Sequence, residues 1–113
     1  MKSKILALSK NEEFKDLINK NKLSNKYVTI FFGVLENKNN KKLNISFVTK
    51  KKIGNAVKRN KIKRRLKNIM NEAIRKISIK FNYSYLIIAK STMLNNEYTN
   101  IKDIIFQSFR KIK

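Results

Sequence analysis

Residues 56–77 place their apolar side chains on a single stripe, and this pattern constrains the fold more than any other feature of the sequence. Apolar residues recur every three or four positions, which is the period of an amphipathic helix. The stripe consists of Ile62, Leu66, Ile69, Met70, Ala73 and Ile77. The opposite face carries Asn60, Lys61, Arg64, Arg65, Lys67 and Asn68. One face must therefore pack against a core, while the other faces solvent or a partner.

Two further helices are predicted, one on each side of this central helix. Apolar residues at helical spacing that follow Glu12 predict a first helix over 10–22. A second apolar stripe predicts a last helix over 96–111. The expected N-cap residues are Ser9 for the first helix, in a capping box, and Asn95 or Asn96 for the last.

Three short segments rich in β-branched and aromatic residues predict the strands of a sheet. These segments are 27–35, 43–48 and 83–89. The first two are joined by the polar turn ENKNNKK, so we expect them to form an antiparallel hairpin. The element order is α-β-β-α-β-α, or α-β-β-β-α-β-α if the first strand region splits. Either order predicts an α+β layer fold with the helices on one side of a small sheet.

The length and composition of the chain fit one folded domain. The sequence has 113 residues, of which 42% are hydrophobic, so one packed core is expected over residues 1–113. The longest apolar run, at 27–35, is too short for a membrane helix and suits a strand. No secretory signal is visible, and these observations predict a cytoplasmic protein.

The charge of the chain is strongly unbalanced. Lys and Arg number 28 against 7 Asp and Glu, which gives a formal net charge of +21. Between Glu36 and Glu72 there are 13 basic residues and no acidic one. Such a surface repels itself in the free protein, so the usual partner is expected to be a polyanion. Nucleic acid is the first candidate, and an anionic membrane surface is the second.

The residue types that are missing exclude most catalytic chemistry. The chain has no Cys and no His, which removes disulfides, thiolate nucleophiles, imidazole bases and nearly all zinc sites. Its seven carboxylates are scattered along the sequence apart from a group of three near the start. A self-contained active site is therefore hard to build, and we predict no catalytic residue in this chain.

Within the segment 51–67, different residue types offer different contacts to RNA. Lysines neutralise phosphates, and arginines can grip one phosphate through two N–H groups. Asn60 offers a donor and an acceptor to a 2′-hydroxyl or a base edge. Gly54 is expected to allow the turn before the helix, and Asn55 to cap the helix N-terminus. The lysines flanking this turn are Lys51 and Lys52.

The segment KKIGNAVKRNKIKRRLK at 51–67 resembles the signature of the bacterial ribonuclease P protein subunit. The resemblance extends over most of the chain. The other segments that carry it are LSKNEEFKDLI at 8–18, LNISFVTKKKIGNAV at 43–57, YLIIAK at 85–90 and FRK at 109–111.

The resemblance implies a fold, a partner and a reaction. The implied fold is a small mixed sheet with three helices in the order α-β-β-β-α-β-α, with a left-handed βαβ crossover, as in domain 2 of ribosomal protein S5. Proteins of this family bind the ribonuclease P catalytic RNA, and together they remove the 5′ leader from precursor tRNA. The RNA holds the active site and its Mg²⁺ ions. No protein partner and no membrane are implied.

Functional residues can be carried over from the family by position. The residues that match its basic signature are Arg59, Asn60, Lys61, Lys63, Arg64, Arg65 and Lys67. Lys61 and Lys67 stand where the family frequently has arginine. In the family, the leader lies in a cleft between the first helix and the sheet.

The sequence indicates some of the residues that would line this cleft and leaves the choice on the first strand open. Phe14 matches the first aromatic residue of the family's cleft, and Ile18 stands where a second aromatic is common. Phe31 is the candidate cleft wall on the first strand, although Ile30 or Phe32 could take this place. Each aromatic could also be an ordinary core residue, since aromatic side chains dominate cores.

Two other functions are compatible with the charge pattern. A ribosomal or general RNA-binding protein would bind RNA without stimulating cleavage. A cationic protein of the membrane surface would bind liposomes, but the apolar faces of the predicted helices are explained by a core. A stand-alone nuclease is disfavoured by the missing His and the scattered carboxylates.

Overall fold

The computed structural model describes residues 5–8, 12–36 and 38–112. The helices are α1 (Glu12–Ile18), α2 (Ala56–Lys76) and α3 (Tyr98–Arg110). The strands are β1 (Ile5–Leu6), β2 (Asn21–Ser24), β3 (Val28–Gly33), β4 (Leu43–Val48) and β5 (Ser84–Ala89). Two short 3-10 turns, Lys51–Ile53 and Ser91–Asn95, precede α2 and α3. From α1 onward the order is α-β-β-β-α-β-α, as the family resemblance implies.

The strands form one mixed sheet in the order β1-β4-β5-β3-β2. β4 pairs in parallel with β1 and β5, whereas β3 pairs antiparallel with β2 and β5. The predicted hairpin between β3 and β4 is therefore wrong, because β5 lies between them. β5 is apolar on both faces and takes the central position, where both faces are covered. α2 connects β4 to β5 as a βαβ crossover, whose left-handed sense stays a prediction.

The first helix is shorter than its sequence pattern suggests. It ends at Ile18 rather than at residue 22, and residues 21–24 form β2 against β3. Asn25 ends this strand with a tight turn, since its side-chain oxygen accepts hydrogen bonds from the backbone N–H groups of Tyr27 and Val28. Ser9, the predicted N-cap, lies outside the described residues. β1 has only two residues, too few to show a sequence period.

Helices cover both faces of the sheet, so the prediction that all helices lie on one side is wrong. α2 and α3 pack on one face in the larger apolar cluster. Its members include Ile45, Leu66, Ile69, Tyr85, Ile87, Ile105 and Phe109. α1 packs on the other face, where Leu17 is fully buried against Phe31 and Leu86. The alternating side chains of β5 are apolar on both faces, and the second face therefore also needs a cover.

The two long helices begin differently. Asn55 caps α2 as predicted, because its side-chain oxygen accepts a hydrogen bond from the Lys58 backbone N–H at 3.0 Å. The N-cap of α3 is Glu97, without a side-chain capping bond, so the prediction of Asn95 or Asn96 is wrong. Asn96 instead donates a hydrogen bond to the carbonyl of Thr92 and accepts one from the Tyr27 hydroxyl.

Glu72 links the two long helices through charge. Its carboxylate lies 3.1 Å from the Lys76 Nζ atom on α2 and 3.3 Å from the Lys102 Nζ atom on α3. The hydrogen bond from Lys76, together with Lys102, holds the pKa of Glu72 below its ordinary value of 4.5, against the opposing effect of desolvation. Because folding lowers the pKa of this carboxylate, its ionised form stabilises the fold at pH values above its ordinary pKa. This contribution to stability is lost as the pH falls through the lowered pKa.

We therefore expect Glu72→Gln to decrease stability slightly at neutral pH. The difference from the unmodified protein should disappear in acid, where the carboxylate is protonated in both states. The midpoint of urea denaturation, measured at neutral pH and well below the pKa of the carboxylate, tests this expectation. Asp103→Asn, at an exposed position of α3, is the matched control. An equal difference at both pH values would contradict an ionic role for Glu72.

Candidate nucleic-acid interface

The start of α2 is built by three neighbouring residues of the basic segment. Ile53 is buried and anchors the 3-10 turn to the core. Gly54 has a φ of 159°, which residues with side chains rarely adopt, and a Cβ atom there would lie 2.9 Å from the Lys58 Cδ atom. Asn55 then caps the helix. The Gly and the Asn are thus structural, and they fix where the basic helix begins.

The buried stripe of α2 turns its cations outward, as predicted. The candidate residues exposed to solvent are Lys51, Lys52, Asn60, Lys61, Lys63, Arg64 and Lys67. Arg59 and Arg65 are half-buried. Within the described residues, the salt bridges join Lys38 to Glu13 and Glu72 to its two lysines, and none reaches this segment. The positive charge is therefore left for an external partner.

Arg65 has a structural contact that the sequence did not suggest. Its Nη1 atom donates a hydrogen bond to the backbone carbonyl of Asn96 at 3.4 Å. The bond ties α2 to the segment just before α3 and orients the guanidinium group. A groove of about 280 Å³ lies beside it, which we call the 3-10 groove. Its lining residues are Lys58, Lys61, Ile62, Arg65, Met93, Leu94 and Asn95.

A larger cleft of about 560 Å³ lies on the other flank of α2, between that helix, β4 and α1. We call it the α1 cleft. Its lining residues are Ile5, Ala7, Leu8, Phe14, Ile45, Ser46, Phe47, Val48, Thr49, Lys63 and Lys67. Phe14 is half-buried in its wall, and the two lysines approach from the basic helix. An aromatic ring and two lysine side chains therefore line the same cleft.

Only one of the three predicted cleft residues lines this α1 cleft. Ile18 is 49% exposed on α1 and is not among the lining residues, because Leu17 takes the inward position of the helix. Phe31 is buried beneath α1, with its ring 6.0 Å from the Lys22 Nζ atom. On β3, Phe31 faces α1, while Ile30 and Phe32 pack in or against the cluster under α2 and α3. Which of these residues meets the leader stays a prediction.

A third depression, of about 470 Å³, is lined by basic residues that lie outside the predicted RNA-binding set. Lys50 and Lys90 line it together with Lys52, Thr29 and Ile88. The amine of Lys90 donates hydrogen bonds to the Ser24 hydroxyl and the Asn25 carbonyl, which hold the side chain in place. The sequence did contain a signal for Lys90 as a functional residue, because Lys90 directly follows a buried strand, where functional side chains often lie.

The described part of the chain contains no group of three or more His, Cys, Asp or Glu residues that could hold a metal ion. None of the helices in the described ranges is both long and apolar enough to cross a membrane. A strongly basic helix beside a cleft with an aromatic wall is typical of proteins that bind RNA.

Comparison with known proteins identifies the family. The family model Ribonuclease P matches residues 3–113. The ribonuclease P protein component of Carboxydothermus hydrogenoformans is 32% identical over 115 residues, which cover 98% of this chain and 94% of that protein. The corresponding component of Mesoplasma florum is 35% identical over 98 residues, covering 87% and 86%. The chain therefore belongs to the ribonuclease P protein family, and the resemblance drawn from the basic segment is confirmed.

A solved structure supports the fold independently. The RNase P protein from Thermotoga maritima superposes with a TM-score of 0.80, covering 96% of this chain and 98% of that one, at 18% identity. This similarity confirms the α+β fold with a mixed sheet and three helices.

Proposed function

We propose that this protein binds the ribonuclease P catalytic RNA and the 5′ leader of precursor tRNA in the cytoplasm, and so promotes removal of the leader. The observation that carries the proposal is the α1 cleft, which Phe14 lines together with Lys63 and Lys67 from the basic helix α2. An aromatic ring and a cationic wall are the two features by which proteins hold single-stranded nucleic acid.

The basic face of α2 supplies affinity for folded RNA. Cations that neutralise phosphates release counterions, and this release dominates protein–nucleic acid affinity. The exposed arginine Arg64 can grip a phosphate through two N–H groups, and Asn60 beside it can contact a 2′-hydroxyl. By screening phosphates where RNA strands converge, the helix reduces the repulsion that opposes assembly of the complex.

The catalytic group is proposed to belong to the RNA. Mg²⁺ prefers carboxylate and phosphate oxygens, and the described residues contain no carboxylate cluster that fits it. We therefore assign Mg²⁺ to the RNA and no catalytic step to this chain. The protein contributes binding, orientation and charge neutralisation.

Reconstitution tests this proposal. Addition of the protein to a bacterial ribonuclease P RNA at low Mg²⁺ is expected to stimulate cleavage of precursor tRNA, because protein cations replace part of the charge screening by Mg²⁺. The protein alone, refolded from denaturant to remove bound RNA, should not cleave. Binding without stimulation would favour a general RNA-binding protein, and cleavage by the refolded protein alone would contradict the assignment of catalysis to the RNA.

A further inference from the structure

The positive charges of α2 fall into two groups. The first belongs to the basic segment, which ends at Lys67, and the second begins at Arg75. The seven residues between them, 68–74, contain no Lys or Arg and one Glu. α2 has 21 residues, so its two ends lie ~30 Å apart at about 1.5 Å per residue. The basic segment covers one end of the helix, and a separate group of cations lies at the other end.

A depression of about 390 Å³ lies where α2 and α3 end, and we call it the helix-end depression. Its lining residues are Lys76, Ile77, Ser78, Lys80, Arg110 and Ile112. It shares no lining residue with the α1 cleft, the 3-10 groove or the depression beside Lys90. Cations from the end of α2, from the following loop and from the end of α3 therefore line one depression that the proposed function does not use.

The core beneath the helix-end depression holds its lining in place. Ile112 is buried in the larger apolar cluster, and Ile77 packs against that cluster. The carbonyl of Lys80 accepts a hydrogen bond from the buried Tyr85 hydroxyl at 2.8 Å, which fixes the backbone of the loop. The Lys80 Nζ atom lies 5.9 Å from the centre of the Tyr83 ring. Because the cations are positioned before a partner arrives, less conformational entropy is lost when one binds.

The helix dipoles explain only two of the three cations. Lys76 and Arg110 lie in the last turns of α2 and α3, where a positive side chain offsets the partial negative charge of a helix C-terminus. Lys80 lies outside both helices, so this explanation does not extend to it. Of the salt bridges between described residues, only that from Lys76 to Glu72 reaches the depression. The charges of Lys80 and Arg110 are therefore available to an external anion.

We propose that the helix-end depression binds one phosphate of a double-helical segment of the catalytic RNA, so that the protein contacts this RNA at both ends of α2. The inference rests on the proposed function and adds a second point of contact to it. Apart from the cations and Ser78, the described lining is aliphatic, and it includes no aromatic ring on which an unpaired base could stack. Cations without a stacking platform contact the backbone of a duplex, which keeps its bases inside. The lining therefore favours a folded RNA over a single strand.

Two matched double variants test this contact. Lys80→Ala/Arg110→Ala removes two exposed cations that line the helix-end depression. Arg75→Ala/Lys111→Ala removes two exposed cations from the ends of the same helices that do not line it. Both variants lose the same charge. For each, we would measure the affinity for a bacterial ribonuclease P RNA as a function of salt concentration, and circular dichroism verifies that the helices remain folded.

The variant of the depression should bind the RNA about 5-fold more weakly at ~0.15 M salt, and its log–log salt slope should fall by about 0.9, the value for one duplex phosphate. The matched variant should change the affinity and the slope much less, because its two cations touch no phosphate in the proposed complex.

A tethered cleavage reagent locates the contact on the RNA. The chain has no Cys, so a single introduced thiol can carry iron–EDTA, whose hydroxyl radicals cut nearby RNA strands. Ser78→Cys places the reagent in the helix-end depression, and Val57→Cys places it on an exposed position at the start of α2. The reagent at position 78 should cut the catalytic RNA at nucleotides that the reagent at position 57 does not reach. Adding Lys80→Ala/Arg110→Ala should weaken the cuts from position 78 and leave those from position 57.

The outcomes distinguish the inference from the function on which it rests. If the unmodified protein does not stimulate cleavage by the RNA, the proposed function fails and the second contact fails with it. If it does stimulate cleavage, and the reagent cuts the catalytic RNA from position 57 but not from position 78, only the second contact is overturned. Equal losses of affinity in the two double variants would also overturn it, because net charge alone would explain them. Cuts from position 78 in precursor tRNA alone would overturn the assignment to the catalytic RNA.

Discussion

Substitution of Phe14 by alanine is expected to weaken binding of precursor tRNA to the reconstituted complex by about 1–3 kcal/mol, the range for one lost stacked base. Phe14 is half-buried and lines the α1 cleft, so its ring remains accessible to a leader nucleotide. Mature tRNA has no leader and should bind as before. Equilibrium binding of both RNAs to complexes with the unmodified and substituted protein provides the measurement.

Leu17→Ala is the control that separates a cleft role from a core role. Leu17 lies on the same helix but is fully buried against the sheet. Its replacement should cost about 2–5 kcal/mol of stability, and it should weaken all RNA binding together because α1 loses its anchor. Phe14→Ala should have a much smaller effect on stability in the same urea titration. Equal losses for precursor and mature tRNA with Phe14→Ala would refute the cleft role.

The second large effect is expected on the basic helix. Arg59→Ala/Arg64→Ala should reduce affinity for the catalytic RNA by about 30-fold at ~0.15 M salt, because two lost phosphate contacts decrease the log–log salt slope by nearly 2. Neither arginine forms a salt bridge within the described residues, so the substitutions break no ion pair of the fold. A titration of affinity against salt concentration measures both the loss and the slope.

Arg75→Ala is the matched control on the same helix. Arg75 is exposed in the last turn of α2, outside the basic segment that resembles the family signature. Its substitution removes one positive charge, against two in the double variant, and the salt slope should change little. If Arg75→Ala and the double variant reduce affinity by the same amount per charge, the protein attracts RNA through its net charge alone. The specific role of Arg59 and Arg64 would then be rejected.

Features that depend on neighbours in the chain were predictable from the sequence. The apolar stripe of α2 predicted both ends of the helix to within one residue, because the period of a long amphipathic helix is a strong local signal. Asn55 was identifiable as the cap for the same reason, since capping depends on a backbone N–H three residues ahead. The basic segment then indicated the family, which the comparisons confirmed.

Features that depend on distant pairing were decided only by the tertiary structure. The polar turn between β3 and β4 suggests a hairpin, yet the parallel crossover through α2 places β5 between these strands. Pairing energy comes from burial on both sides of the sheet, and a local pattern cannot show which strand becomes central. The first two residues of β2, 21–22, lay within the predicted first helix, because tertiary pairing with β3 overrides a weak helical period.

The site shows the same distinction at the level of single residues. The sequence by itself determined that α2 would carry an acid-free cationic face, since residue type and helical period are sufficient for this conclusion. Only the tertiary structure decided that Lys63 and Lys67 share a cleft with Phe14, while Lys58 and Lys61 face the 3-10 groove. It also decided that Phe31 is buried and Ile18 is exposed. Each of these placements depends on how α1, α2 and α3 pack against opposite faces of the sheet, and that packing is set by contacts between residues far apart in the chain.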